Sequence, residues 1–215
     1  MFEFQCEAVL FDLDGVLVDS TKSVVQIWTA WSESNGIPPT RTLEIIHGRR
    51  TTEVLEMLAP PHLNIKSEAE KIEAGISLKK GGTVAIPGAD KLLNALPSDR
   101  WCVVTSGLKE FARIRLKDAG LPVPEILVSA EDVTNGKPHP EPYLKGAKLL
   151  GKAPADCLVI EDAVAGITSA HAGGMKAIGL TTTFAATELK GAEAVIQSLS
   201  QVQVNLNEGK LRIRI

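Results

Sequence analysis

The stretch Ala8-Val9-Leu10-Phe11-Asp12-Leu13-Asp14-Gly15-Val16-Leu17-Val18-Asp19-Ser20 decides the fold. It opens as a short apolar run ended by charge and glycine, the pattern of a strand buried on both faces. Two carboxylates at the carboxyl end of such a strand are costly unless a cation or reaction chemistry occupies them. Residues i and i+2 of an extended chain point the same way. Asp12 and Asp14 can therefore face one reacting centre while the chain stays extended. An Asx turn closing the strand at Gly15 is the other reading of the same residues.

Three more runs of this kind follow, each ending in polar residues of a complementary type. Trp101-Cys102-Val103-Val104 leads into Thr105-Ser106-Gly107. Ile126-Leu127-Val128-Ser129 leads, after a short loop, to Gly136-Lys137-Pro138-His139-Pro140. Cys157-Leu158-Val159-Ile160 runs into Glu161-Asp162-Ala163-Val164-Ala165-Gly166. Open α/β sheets bind ligands just beyond the carboxyl ends of their strands. Four strand ends thus deliver, in order, two Asp, a hydroxyl, a Lys and an acidic pair. From Ala89 onward helical and strand patterns alternate up to a strand at Lys176–Leu180, the signature of a doubly wound parallel sheet of the α/β class. Val202–Val204 and Leu211–Ile215 alternate around Asn207-Glu208-Gly209, an antiparallel hairpin signal.

Between the first two polar strand ends the pattern is helical. Ser23–Trp31 carries apolar residues at helical spacing and stops at Asn35-Gly36. Ile37-Pro38-Pro39 separates it from a short helix at Thr42–Ile46; further helices are expected at Glu53–Leu58 and Glu68–Leu78, and Gly81-Gly82 reads as a hinge. The expected organisation is an α/β core of residues 1–17 and 85–215, interrupted by an all-helical insert, 18–84. An insert that begins right after the two acids can act as a lid.

The chain has 215 residues, 44% hydrophobic and 23% charged, enough for a buried core and an accessory domain. A net charge of −3 gives no footprint for nucleic acid or an anionic membrane. No run is long enough to span a bilayer, and Met1-Phe2-Glu3-Phe4-Gln5 lacks the basic start and apolar run of a signal peptide. Cys6, Cys102 and Cys157 are odd in number and widely spaced, which suits core residues in a reducing cytoplasm better than disulfides or a metal cluster.

These residues resemble the haloacid dehalogenase (HAD) superfamily of phosphotransferases over essentially the whole chain. Asp12–Ser20 looks like its first motif, Thr105-Ser106-Gly107 its second, Lys137-Pro138 its third and Glu161–Ile167 its fourth. The helical insert is similar to the superfamily's type-1 cap, and the core to its Rossmann-like fold. His47-Gly48-Arg49-Arg50-Thr51 and Asn135–Tyr143 look most like the sugar-phosphate and glycerol-phosphate phosphatases related to 2-deoxyglucose-6-phosphatase. The resemblance implies Asp12 as the nucleophile, forming an aspartyl-phosphate, and Asp14 as general acid and then general base. It implies Mg²⁺ held by Asp12, Asp162 and the Asp14 backbone carbonyl, with Glu161 nearby or ligating through water. Thr105, with the Ser106 and Gly107 amides, would bind a phosphoryl oxygen, and Lys137 would supply positive charge. The Lys137-Pro138 bond is expected to be cis.

Inside the insert the readings diverge. Arg49 and Arg50 sit at a helix start, where they could hold a phosphate or sugar hydroxyl or form a solvated basic pair. Arg49 is the preferred substrate contact. His47 reads equally as a substrate contact or a structural residue. Trp28 and Trp31 are expected to pack the insert's core, Lys79 and Lys80 to end a helix or to reach the mouth of the site, with the first reading preferred, His139 to lie on a loop and His171 on a helix surface. Among relatives, dehalogenases and phosphonatases lack the second acid of the first motif, which is present here as Asp14. Val24 stands where the β-phosphoglucomutases carry a histidine. The expected function is Mg²⁺-dependent hydrolysis of a small sugar or polyol phosphate monoester, by a monomer; a mutase or a non-catalytic sensor are the alternatives.

Overall fold

The protein, seen in a computed structural model, is described for residues 2–78, 81–207 and 209–215. Lys79 and Lys80 lie outside the described residues. Six parallel strands form the central sheet: β2 (Ala8–Phe11), β5 (Trp101–Val104), β6 (Leu127–Val128), β7 (Cys157–Glu161), β8 (Lys176–Leu180) and β9 (Ala194–Ile196), in the order β6-β5-β2-β7-β8-β9. The strand carrying Asp12 is central, with Leu10 beside Cys102 on one side and Val159 on the other. Along β2 the side chains alternate between two hydrophobic clusters. Val9 and Phe11 join one, Ala8 and Leu10 the other. That alternation is the physical content of the uninterrupted apolar run, a strand covered on both faces.

Helices connect these strands: α5 (Ala89–Ala95), α6 (Lys109–Asp118), α7 (Glu141–Leu149) and α8 (Val164–Ala172). The order of strand reversal brings the ends of β2, β5 and β7 side by side, the place where open α/β sheets take their ligands. The C-terminal hairpin is present as β10 (Gln203–Asn207) and β11 (Lys210–Arg214). It pairs with an N-terminal strand that the sequence pattern did not reveal, β1 (Glu3–Cys6), to make a second sheet in the order β1-β11-β10. β9 was likewise not anticipated.

The segment between β3 (Val18–Asp19) and β4 (Val84–Ala85) is helical, and those two short strands pair antiparallel, so the chain leaves the core and returns to it side by side. The helices are α1 (Thr21–Ser34), α2 (Pro39–Leu43), α3 (Thr51–Leu58) and α4 (Ile65–Ser77). α2 starts earlier than expected because Pro39, read as a separator, takes the first helical position, where a missing N–H costs nothing. α4 also starts earlier, capped by Asn64 Oδ1 accepting from Ser67 N–H (2.9 Å). Trp28 and Trp31 meet edge-to-face at 5.5 Å within a hydrophobic cluster built from these four helices and the Ile46 turn. All three cysteines are free and buried. No helix among the described residues is long and apolar enough to cross a membrane.

Candidate functional site

β2 stops at Phe11, and Asp12 follows, buried, its N–H donating to the Ile160 carbonyl (3.1 Å). The chain then turns, because the Leu13 carbonyl accepts from the N–H groups of Val16, Leu17 and Val18. Leu13 packs into the core while Asp12 and Asp14 both line one cavity. The two acids share a centre although the strand has already ended. Gly15 makes the turn possible. Its φ is +87°, and a Cβ there would stand 2.0 Å from Asp162 Oδ2. The first and fourth sequence motifs are thus packed against each other through the space a side chain would fill.

At the end of β7, Glu161 and Asp162 bring oxygen atoms that, with one from Asp12, all lie within 4.8 Å of one another. Lys137 enters from the loop before α7, joined to Pro138 by a cis bond as expected. It is 2% exposed, and its ammonium donates to Asp12 Oδ1 (2.5 Å), Glu161 Oε1 (2.6 Å) and the Val104 carbonyl (3.1 Å). All its donors are therefore spoken for. Tyr143 also donates to Glu161 Oε1 (2.8 Å), while Glu161 Oε2 accepts from the N–H groups of Asp162 and Ala163 (3.0 Å each). Glu161 orients Lys137 and the β7–α8 turn with both of its oxygens. Asp12 and Asp162 are the better placed pair for a cation.

The charge balance supports that reading. Three buried carboxylates face a single buried ammonium. Burial raises the Asp12 carboxyl above its ordinary range; Lys137 opposes this, and Glu161 and Asp14 add to it. Burial likewise raises Asp162 well above its usual value, helped by Glu161 and Asp12 and opposed by a hydrogen bond from Thr183. Lys137 would be pushed down by burial alone, but Asp12 and Glu161 hold it above its ordinary value. Buried anions short of positive charge are what a hard divalent cation with oxygen ligands relieves.

Thr105 follows β5 and is buried; its Oγ accepts from Gly107 N–H (3.0 Å), so its own proton can reach an oxygen in the cavity. Ser106 also lines the cavity, but its hydroxyl donates to the Gly48 carbonyl (3.1 Å) of the helical insert. The insert supplies the opposite wall. Val24, Trp28, Ile46, His47, Arg49, Thr51, Glu73 and Ile76 bring apolar and polar surface to a cavity of about 110 Å³. His47 packs edge-to-face on Phe184 at 5.7 Å, and burial lowers its pKa. Arg50 does not share the cavity with Arg49. It donates to the Val133 and Thr134 carbonyls (3.2 and 3.0 Å), on the loop that leads to Lys137. His139 lies on a loop and His171 on α8, as expected; neither lines the cavity.

Sequence reasoning missed Arg115, Glu73, Tyr143 and Thr183. Two of these left a signal. On α6 Arg115 falls on the stripe of Ala112 and Leu116, and on α4 Glu73 falls on that of Ala69, Ile72 and Ile76. A charge interrupting a buried stripe needs a partner, and here opposite charges interrupt two different helices. Tyr143, the chain's only tyrosine, and Thr183 gave no comparable sign.

Comparison with known proteins agrees with this geometry. The chain is 40% identical to hexitol phosphatase A of Escherichia coli over 204 residues, covering 93% of this chain and 94% of that protein. It is 35% identical to glycerol-1-phosphate phosphohydrolase 2 of Saccharomyces cerevisiae, covering 92% and 84%. A hydrolase from Pseudomonas syringae has a similar structure, with a TM-score of 0.81 at 29% identity, covering 89% of this chain and 94% of that one. Residues 6–174 match the haloacid dehalogenase-like hydrolase family, and with the strand-end motifs in place this chain belongs to it.

Proposed function

We propose that this protein is a Mg²⁺-dependent phosphomonoesterase acting on a small sugar or polyol phosphate. One observation carries the reading: Asp12, Asp14 and Asp162 line a single cavity, and behind it Lys137 bonds both Asp12 and Glu161, whose oxygens cluster with that of Asp162. Asp12 is the nucleophile, its oxygen bonding to phosphorus as the ester oxygen leaves. Asp14 gives a proton to the departing alkoxide and then takes one from the water that cleaves the aspartyl-phosphate. Lys137 compensates charge on the phosphoryl group, and the Thr105 hydroxyl with the Ser106 and Gly107 backbone holds its oxygens. A cation held by Asp12, Asp162 and the Asp14 carbonyl, with Glu161 behind them, would supply the remaining neutralisation. Residues 18–84 serve as a lid over a core of 1–17 and 85–215. Arg49 and His47 face the substrate from that lid. The mixed lining, with Trp28, Ile46 and Ile76 among polar groups, suits a short carbon chain bearing hydroxyls. The sugar and polyol phosphatases among its relatives support this substrate class. The protein works as a monomer on a soluble phosphate monoester.

The test is a panel of hexitol, glycerol and sugar phosphates assayed for released phosphate, with Mg²⁺ and with chelator. Hydrolysis that chelator abolishes and that Asp12→Asn lowers by about 10⁴-fold or more is expected, since removal of a nucleophile leaves only binding and polarisation. Phosphate release unaffected by Asp12→Asn sinks the assignment. Isomerisation of a sugar phosphate without net release makes the enzyme a mutase instead.

A further inference from the structure

Arg115 is 2% exposed, on a core helix, with no solvent to carry its charge. A guanidinium in that position needs carboxylates, and it has two from different parts of the molecule. Nη2 lies 3.3 Å from Asp14 Oδ2, at the end of the central strand. Nη1 lies 3.2 Å from Glu73 Oε2 and 3.2 Å from Ser77 Oγ, both on α4 of the helical insert. Each carboxylate is also held by its second oxygen: Ser20 donates to Asp14 Oδ1 (2.6 Å), and Thr51 donates to Glu73 Oε1 (2.6 Å). Two-point restraint fixes the plane of a carboxylate as well as its position. A planar fork joining the two planes makes the setting of one depend on the other. Gly107 provides the room, because a Cβ there would stand 2.6 Å from Arg115 Nη2.

We propose that Arg115 is a positioning residue for Asp14, and that Glu73 sets Arg115 from the helical insert. This inference rests on Asp14 being the proton donor and acceptor. Arg115 also lines the cavity, but its ion pairs and hydrogen bonds go to Asp14, Glu73 and Ser77, not to the nucleophile Asp12 or to that residue's partners, Lys137 and Glu161. Its contribution is the orientation of the carboxyl that must hand a proton to the leaving oxygen. Orientation errors are felt in proportion to how much the step needs that proton. An alkyl phosphate, which leaves as a strongly basic alkoxide, needs it; p-nitrophenyl phosphate, which leaves as a stabilised phenolate, does not.

The experiment compares Arg115→Lys, Glu73→Gln, the double variant and Asp14→Asn with the unaltered enzyme. First-turnover release of the alcohol is measured with Mg²⁺ for a hexitol phosphate and for p-nitrophenyl phosphate. Asp14→Asn calibrates the contrast. Arg115→Lys is expected to slow the alkyl ester about 30-fold and the aryl ester less than about threefold, part of the ~10²–10⁴-fold that acid–base assistance supplies. Glu73→Gln, which keeps size and hydrogen bonding, should act in the same sense but less. The double variant should fall within about twofold of Arg115→Lys alone, because the pair acts as a unit. If both esters slow equally in the Arg115 and Glu73 variants while Asp14→Asn separates them, Arg115 is only a packing residue and the inference is wrong. A raised KM with unchanged release makes it a substrate-binding residue, which also overturns it. If Asp14→Asn does not separate the esters, the role given to Asp14 fails first and this inference with it.

Discussion

Gly166 lies in the first turn of α8, and the side chain it lacks is what lets Glu161 reach Lys137. A Cβ there would stand 1.7 Å from Glu161 Oε1. Alanine normally favours a helix interior over glycine by about 1 kcal/mol. Gly166→Ala should nevertheless destabilise the protein, since overpacking costs about 1–3 kcal/mol. Thermal unfolding should show Tm lower by about 2–4 °C for each kcal/mol in a chain of this size, with phosphatase activity falling alongside; a higher Tm with unchanged activity would refute this. At this scale the sequence was readable wherever a polar residue followed a buried strand, because burial makes a charge conspicuous. Asp12, Asp14, Lys137 and Asp162 were legible on that ground. Tyr143 was not, since a tyrosine facing a core announces nothing about the carboxylate its hydroxyl meets (Glu161, 2.8 Å).

Among elements, the loop between β6 and α7 is held from both sides. The Glu141 carboxylate, in the first turn of α7, accepts from the N–H groups of Thr134 and Asn135 (2.7 and 2.8 Å), while Arg50 of the insert takes the carbonyls of Val133 and Thr134. The two backbone hydrogen bonds are the largest influences on Glu141 and lower its pKa from the ordinary 4.5. A lowered folded value means that the ionised form stabilises the fold. That contribution is complete above the ordinary glutamate value and is lost as pH falls through the lowered one. The Tm gap between the unaltered protein and Glu141→Gln should therefore be constant near neutral pH and shrink on acidification below about 4.5. A gap that widens toward acid would contradict the hydrogen-bond account. The strand–loop–helix alternation that sets up this loop was legible because buried parallel strands read as uninterrupted apolar runs. β1 and β9 were not. Short flanking strands owe their conformation to the neighbour they pair with more than to local preference.

The whole molecule carries an electrostatic debt at its centre, three buried carboxylates against Lys137. A cation that binds there binds only the folded state, so stability should rise with its concentration by mass action, by about 2.7 kcal/mol at a hundred times its dissociation constant. Differential scanning fluorimetry should show Tm climbing with Mg²⁺ and a flat response in Asp162→Asn. A flat response in the unaltered protein would remove the cation from this cavity. This convergence could be inferred from sequence because its acids sit at strand ends of one sheet and Lys137 lies on the loop that follows another strand of that sheet. The joint between core and insert could not, since Arg115 and Glu73 are 42 residues apart and on helices whose relative placement no local pattern encodes. The cysteines bear on how that joint can be watched. Cys6, Cys102 and Cys157 are all buried, and burial pushes the Cys157 thiol up to about 11 and Cys6 up to about 12. Maleimides and methanethiosulfonates react through exposed thiolate, so the native thiols are silent toward labelling. Met57 on α3 and Leu149 on α7, 54% and 53% exposed, can each become cysteine and carry a spin label on a wild-type background. Distances between insert and core then become measurable during turnover without first stripping the protein of its own sulfur.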